Sequence, residues 1–106
     1  MKQHLTIENY TDPDGNPTGG MAHGTGINIS WQSGPLGRGA DRVPPNGAFV
    51  EDVIGVAVQR LEHYQSSKFK CVENENAIAY LKTALMWLNK RTEEREARQV
   101  EGTHQK

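Results

Sequence analysis

The sequence predicts an α+β fold: a small N-terminal antiparallel β-sheet followed by a long antiparallel two-helix hairpin, in an oligomeric protein. Three observations carry this expectation. Apolar and polar residues alternate in two stretches before residue 33, the period of strands covered on one face. From Phe49 to Leu88 the period changes to three and four, that of amphipathic helices. Leu, Ile, Val and Phe number only twenty in 106 residues, thirteen of them in that helical part. Such a supply is thin for a self-sufficient core, so burial against further subunits is expected. Residues 1–46 are therefore a β-rich region with Gly/Pro-rich loops. Residues 47–106 are a helical hairpin, with helices over about 47–66 and 73–100 and a short mobile tail.

Each element has its own signal. In residues 2–10, Leu5 and Ile7 fall on one side of a strand and Thr6 and Glu8 on the other. Asp12-Pro13-Asp14-Gly15-Asn16-Pro17 is a cluster of turn formers. Residues 18–26 contain four glycines and read as a loop. Ile27, Ile29 and Trp31 alternate with Asn28, Ser30 and Gln32 in a second strand. Residues 33–47 hold four glycines, three prolines and two arginines, Arg38 and Arg42, in a second loop. Asn46 is the expected N-cap of the first helix, with Glu51 and Asp52 in its opening turns. Val50, Val53, Ile54, Ala57, Leu61 and Tyr64 make that helix's core stripe, which Phe49 and Val56 widen. Residues 66–72 form the corner, and the second helix carries Ile78, Leu81, Leu85 and Leu88. At ~1.5 Å per residue the helices span roughly 30 and 40 Å, so the second arm overhangs the first.

Composition excludes several functions. The formal net charge of -1 gives no basic field for duplex nucleic acid. No signal-like or membrane-spanning apolar run is present, which points to a soluble, unexported chain with no membrane partner. The single cysteine, Cys71, has no CxxC partner and reads as a small half-buried residue in a reducing cytoplasm. His4, His23, His63 and His104 lack ligand spacing, so no metal is expected. No nucleophile, base and acid are recognisably paired in sequence, and no catalytic residues or cofactors are expected.

After Leu88 the apolar seam is expected to pass to Arg91, Arg95 and Arg98. Like charges four residues apart cost roughly 0.2–0.5 kcal/mol, so something negative belongs between Arg91 and Arg95. Either glutamates supply it, through Arg91–Glu94 and Glu94–Arg98 pairs, or an anionic ligand does, gripped by planar guanidinium groups. Tyr64 and Phe69 flank the corner, where flat faces can meet a base, whereas Trp31, Tyr80 and Trp87 read as residues of core packing or subunit contact. Gly34, Gly37 and Gly39 allow backbone N–H groups to approach an anion, but their order fits neither GxGxxG nor a nucleoside-triphosphate loop.

From His23 onward the chain resembles a phage protein family. GINISWQSGPLGRGADRVPPNGAFVEDVI, YQSSKFKCVENENAIAYL and WLNKRTEEREARQVEGTHQK are similar to the anti-Thoeris sponge proteins, which share a hairpin domain with the anti-CBASS cyclic-nucleotide sponges. NGAFVEDVI and RTEEREARQVEGTH are the distinctive segments. The resemblance implies a non-enzymatic protein that sequesters a host immune signalling nucleotide, in the cytoplasm of the infected bacterium. For the anti-Thoeris branch that ligand is a cyclic ADP-ribose isomer, gcADPR, and related sponges take up cyclic di- and trinucleotides. It implies self-association as dimers that can form hexamers, with the pocket between subunits. Carried over by motif position, Tyr64, Asn74, Arg91 and Arg95 are ligand-binding, with Arg38 and Arg42 as further assignments. Lys82 stands where some relatives carry an acid.

Residues and resemblance together give one expected mechanism. Arg91 and Arg95 neutralise the diphosphate, Tyr64 or Phe69 stacks on adenine, and Asn74 bonds a base edge or ribose hydroxyl. Loop arginines of a partner subunit close the pocket. Two other classes stay open: a structural or regulatory helical-hairpin assembly protein, and an enzyme that degrades a cyclic nucleotide.

Overall fold

The computed structural model describes residues 3–106. Lys2, placed in the first strand by the sequence, lies outside the described residues. Two units make up the chain. One holds a sheet, its loops and the C-terminal segment Val100–Lys106, and the other holds the helices, Val50–Gln99.

The sheet has three antiparallel strands, β1 (Thr6–Thr11), β2 (Pro17–Gly24) and β3 (Ile27–Ser30), in the order β1-β2-β3. The α+β class and the small antiparallel sheet are as expected. The central strand is not, since its glycines read as a loop. Gly20 shows why they do not prevent a strand: it faces Asn9 across the ladder with φ at +143°. A side chain there would collide with the Glu8 carbonyl oxygen. Glycine is needed at that position for the close approach of β1, not for a turn. The β1–β2 turn is held by Asp12, whose carboxylate accepts from the backbone N–H groups of Asp14 and Asn16, both at 2.9 Å. The Asn16 side-chain amide adds a third bond at 3.1 Å. These bonds, Asn16's backbone N–H first, hold the Asp12 carboxyl below the usual carboxylate range.

Asn46 does not cap a helix. Its side chain accepts from the Ser33 N–H at 2.8 Å and donates to the Ser33 carbonyl at 2.9 Å. Ala48 then pairs in parallel with Trp31 beside the end of β3. Because residues 46–48 are committed to this pairing, α1 begins only at Val50 and runs to Gln65. Where the sequence suggests a tail, the chain makes contacts with the loop of the sheet unit. Val100 is buried, as is Leu36, and Gly37 N–H donates to the Gly102 carbonyl at 2.7 Å.

In the other unit α1 and α2 (Val72–Ala97) form the hairpin. Glu62–Lys82 and Glu51–Arg91 contacts, each 3.8 Å, mark the antiparallel register and leave about one turn of α2 overhanging. At the corner the Gln65 side chain clamps Cys71, accepting from its N–H and donating to its carbonyl, both at 3.0 Å. Cys71 is the N-cap of α2: its sulfur accepts from the Asn74 N–H. Of the hairpin's apolar side chains only Val58 is buried, at 5% exposure. Ile54, Leu61, Ile78, Leu81, Leu85 and Leu88 are half-buried, because two helices alone cannot enclose a core. Among the described residues, no helix is long and apolar enough to cross a membrane.

Candidate functional site

The arginine end of α2 departs from the expected seam. At 3.6 residues per turn, Arg95 returns to within about 20° of Leu88, whereas Arg91 and Arg98 are turned about 60° and 80° away. Burial follows that arithmetic: Thr92 and Arg95 are half-buried, and Arg91 and Arg98 are exposed. Arg95 alone of the three continues the seam. The Arg98 guanidinium meets Glu94 at 3.3 Å, one of the two pairs read from spacing. Arg91 instead faces Glu51 of α1 at 3.8 Å. The negative group beside Arg91 thus comes from the opposite helix. With 61% of the Arg91 side chain exposed, this long pair contributes no more than about 1 kcal/mol. A bidentate anion can therefore displace it.

The corner carries the aromatic candidates. Tyr64 is 38% exposed, with the Arg60 guanidinium 4.9 Å from its ring centroid and Arg60 Nε donating to its hydroxyl at 3.1 Å. Phe69 is 67% exposed, with Lys68 Nζ 5.3 Å from the ring centroid. Asn74 is half-buried in the first turn of α2. Tyr64, Phe69 and Asn74 thus gather at one end of the hairpin and Arg91 and Arg95 at the other. Seventeen residues of helix separate Asn74 from Arg91, about 26 Å along the axis, far more than one nucleotide spans. Within one chain the two groups of candidate residues therefore stand apart.

The loop arginines, in the unit with the sheet, converge on Glu101. Arg42 Nη1 pairs with the Glu101 carboxylate, and Arg38 Nη1 donates to the Glu101 backbone carbonyl at 3.0 Å. Arg38 also stands 4.0 Å from the same carboxylate oxygen, whose side chain is only 19% exposed. The Gly37 N–H, one of the groups suited to cradle an anion, is taken by the Gly102 carbonyl.

The sequence marks neither Gln65 nor Glu101, and marks Glu51 only as an opening-turn acid of the first helix. The hairpin register brings Glu51 to Arg91, so a helix-to-helix alignment would have found it. Nothing local marks Glu101 as the partner of a loop some sixty residues away. Tyr80 and Trp87, read as residues of core packing or subunit contact, are 77% and 58% exposed in the chain, with Lys90 Nζ 5.0 Å from the Trp87 ring. Lys82 is paired with Glu62. Among the described residues no three His, Cys, Asp or Glu side chains are grouped to hold a metal ion.

Comparison with known proteins places these features. The model of the family described as "Acb2/Tad1, hairpin domain" matches residues 24–93. That range runs from the end of β2 to Glu93, taking in Arg38, Arg42, Tyr64, Phe69, Asn74 and Arg91 but stopping short of Arg95 and Glu101. Thoeris anti-defense 1 of Bacillus phage SBSphiJ7 is 51% identical over 79 residues. The match covers 74% of this chain and 52% of the relative, so the chain spans about half the length of that curated protein.

Proposed function

The chain belongs to the Acb2/Tad1 hairpin family, and from that premise we propose that it is a phage anti-Thoeris protein that binds a host signalling nucleotide and withholds it without degrading it. The ligand is gcADPR, with cyclic di- and trinucleotides as further candidates. The observation that carries the proposal is the division of the hairpin's candidate residues between its two ends. Arginines that suit a diphosphate lie at one end. Aromatic faces and an amide that suit a nucleobase or ribose lie at the other.

A second copy packed antiparallel brings its corner to the first copy's arginines and completes a pocket. The exposed Val56, Tyr80, Met86 and Trp87 support self-association, since large apolar side chains left in water favour burial against another subunit. In that pocket Arg95 and Arg91 grip the diphosphate oxygens with parallel N–H donors, and Arg91 exchanges Glu51 for phosphate. Tyr64 or Phe69 stacks on the base, and Asn74 supplies donor and acceptor to its edge. Loop arginines Arg38 and Arg42, contributed by a partner subunit, close the pocket. No residue is assigned a proton-transfer role, because a sponge holds its ligand intact. It acts by stoichiometric capture in the cytoplasm of the infected bacterium.

Isothermal titration of gcADPR into the protein, followed by heating and mass analysis of the released ligand, tests this. Binding with intact ligand on release is expected. Chemically altered ligand supports an enzyme instead. No heat with gcADPR or with cyclic di- and trinucleotides leaves the structural hairpin.

A further inference from the structure

The corner of the hairpin holds one more cation, Arg60, exposed on α1 one turn before Tyr64. We propose that Arg60 and the Tyr64 hydroxyl form a donor pair that takes a phosphate oxygen of the nucleotide whose base stacks on the Tyr64 ring. The pair rests on the reading of Tyr64 as a stacking residue and adds to it a grip on the anion.

Three observations support it. The first is the company Arg60 keeps. Arg38 and Arg42 meet Glu101, Arg91 meets Glu51 and Arg98 meets Glu94. Arg60 meets an aromatic ring instead, and no carboxylate of the described residues forms an ion pair with it. Glu62, the acid nearest to it in sequence, faces Lys82 of α2 at 3.8 Å. The charge of Arg60 is thus left for an anion from outside the chain.

The second is how Arg60 is held. Its Nε donates to the Tyr64 hydroxyl oxygen at 3.1 Å, and its Cζ lies over the ring, 4.9 Å from the centroid. These contacts set the guanidinium at the hydroxyl end of the ring. The Nη1 and Nη2 groups engage no described residue and keep the fork that grips phosphate in bidentate fashion. A cation oriented before the ligand arrives loses less freedom on binding. The third is the hydroxyl itself. Its oxygen accepts from Nε, so its own proton remains to donate, and no described residue accepts it. The guanidinium polarises that O–H towards an anion. The Tyr64 backbone is fixed as well, its carbonyl accepting from the Ser67 N–H at 3.0 Å and the Ser67 hydroxyl at 2.6 Å. With the guanidinium over one side of the ring, a base stacks on the other. Its sugar then carries the phosphate round the rim to the hydroxyl.

NMR titration of the full chain with AMP and with adenosine tests the pair, since the two probes differ only by the phosphate. The wild-type chain should bind AMP more tightly than adenosine. Tyr64→Phe keeps the ring and loses the hydroxyl, whereas Arg60→Ala loses the fork. Both side chains are exposed, so neither substitution opens a cavity in a core. Each should weaken AMP about three- to tenfold, the low end for a charge-assisted bond at an exposed site, and leave adenosine unchanged. Equal weakening of AMP and adenosine by Arg60→Ala would make Arg60 a support of the ring alone and overturn the pair. So would AMP affinity that matches that of adenosine or ignores both substitutions, and so would full recovery by Arg60→Lys, which keeps the charge without the fork. AMP binding that depends on Arg60 in a protein that ignores gcADPR and other cyclic nucleotides would retire the sponge and leave the pair standing. Tight gcADPR binding in a protein whose AMP affinity ignores both substitutions would do the reverse.

Discussion

The two units hold their charges in different ways. On the hairpin, the interhelical contacts Glu51–Arg91 and Glu62–Lys82 are 3.8 Å long and largely exposed. In the sheet unit, Glu101 is pinned between two arginines, and Asp12 accepts three hydrogen bonds from its own turn. A long exposed ion pair contributes little stability and gives way to a better partner, whereas a multiply bonded carboxylate fixes a loop. The pairs made by Arg91 and Lys82 are therefore cheaper to exchange than the one Arg42 makes with Glu101.

Substitutions can break or sharpen that comparison. The largest effect is expected at Arg95, which continues the packing seam to the end of α2. Arg95→Ala should weaken gcADPR binding about 10- to 100-fold by titration calorimetry, the range for losing charged hydrogen bonds, while the far-ultraviolet circular dichroism stays unchanged. Equal weakening by Ala at Arg98, which lies off the seam beside Glu94, would erase the distinction between the two positions. Next comes Gln65→Ala. Loss of both part-buried bonds to Cys71 should destabilise the hairpin by about 1–2 kcal/mol in urea unfolding.

The smallest effect concerns the sheet unit and pH. The folded Asp12 carboxyl is held below its ordinary value, so its bonds stabilise the turn fully above the unfolded carboxylate pKa of about 3.9. That contribution fades as pH falls through the lower folded value. Asn16→Ala removes the amide donor but keeps the backbone N–H, so the Asp12 midpoint should rise part of the way in a carboxyl NMR titration. An unmoved midpoint would show that the backbone bond alone sets it.

Legibility also differs between the units. Helical periodicity marks the hairpin and its corner, although Val50, Ala57 and Tyr64 of the expected core stripe are exposed in the chain. The strand containing Gly19 and Gly20 is not so marked, because its glycines serve the approach of another strand and leave no apolar alternation. Asn46 has the composition of an N-cap but is used by Gln32 and Ser33, a tertiary demand that local preference cannot register. At the site, the arginines and corner aromatics were identifiable as residue types. Their separation along α2 follows from the spacing of Asn74 and Arg91, whereas the pairing of Arg91 with Glu51 needed the register and Glu101 the folded C-terminal segment.

The central claim is that a complete nucleotide pocket needs the corner of one chain and the arginine end of another. Mixing the Arg95→Ala and Tyr64→Ala proteins under conditions that exchange subunits tests it most directly. A composite pocket predicts that the mixture regains high-affinity gcADPR binding that neither variant shows alone, because each mixed pair holds one site with both halves intact. A mixture that exchanges subunits yet binds no better than its components would contradict the account.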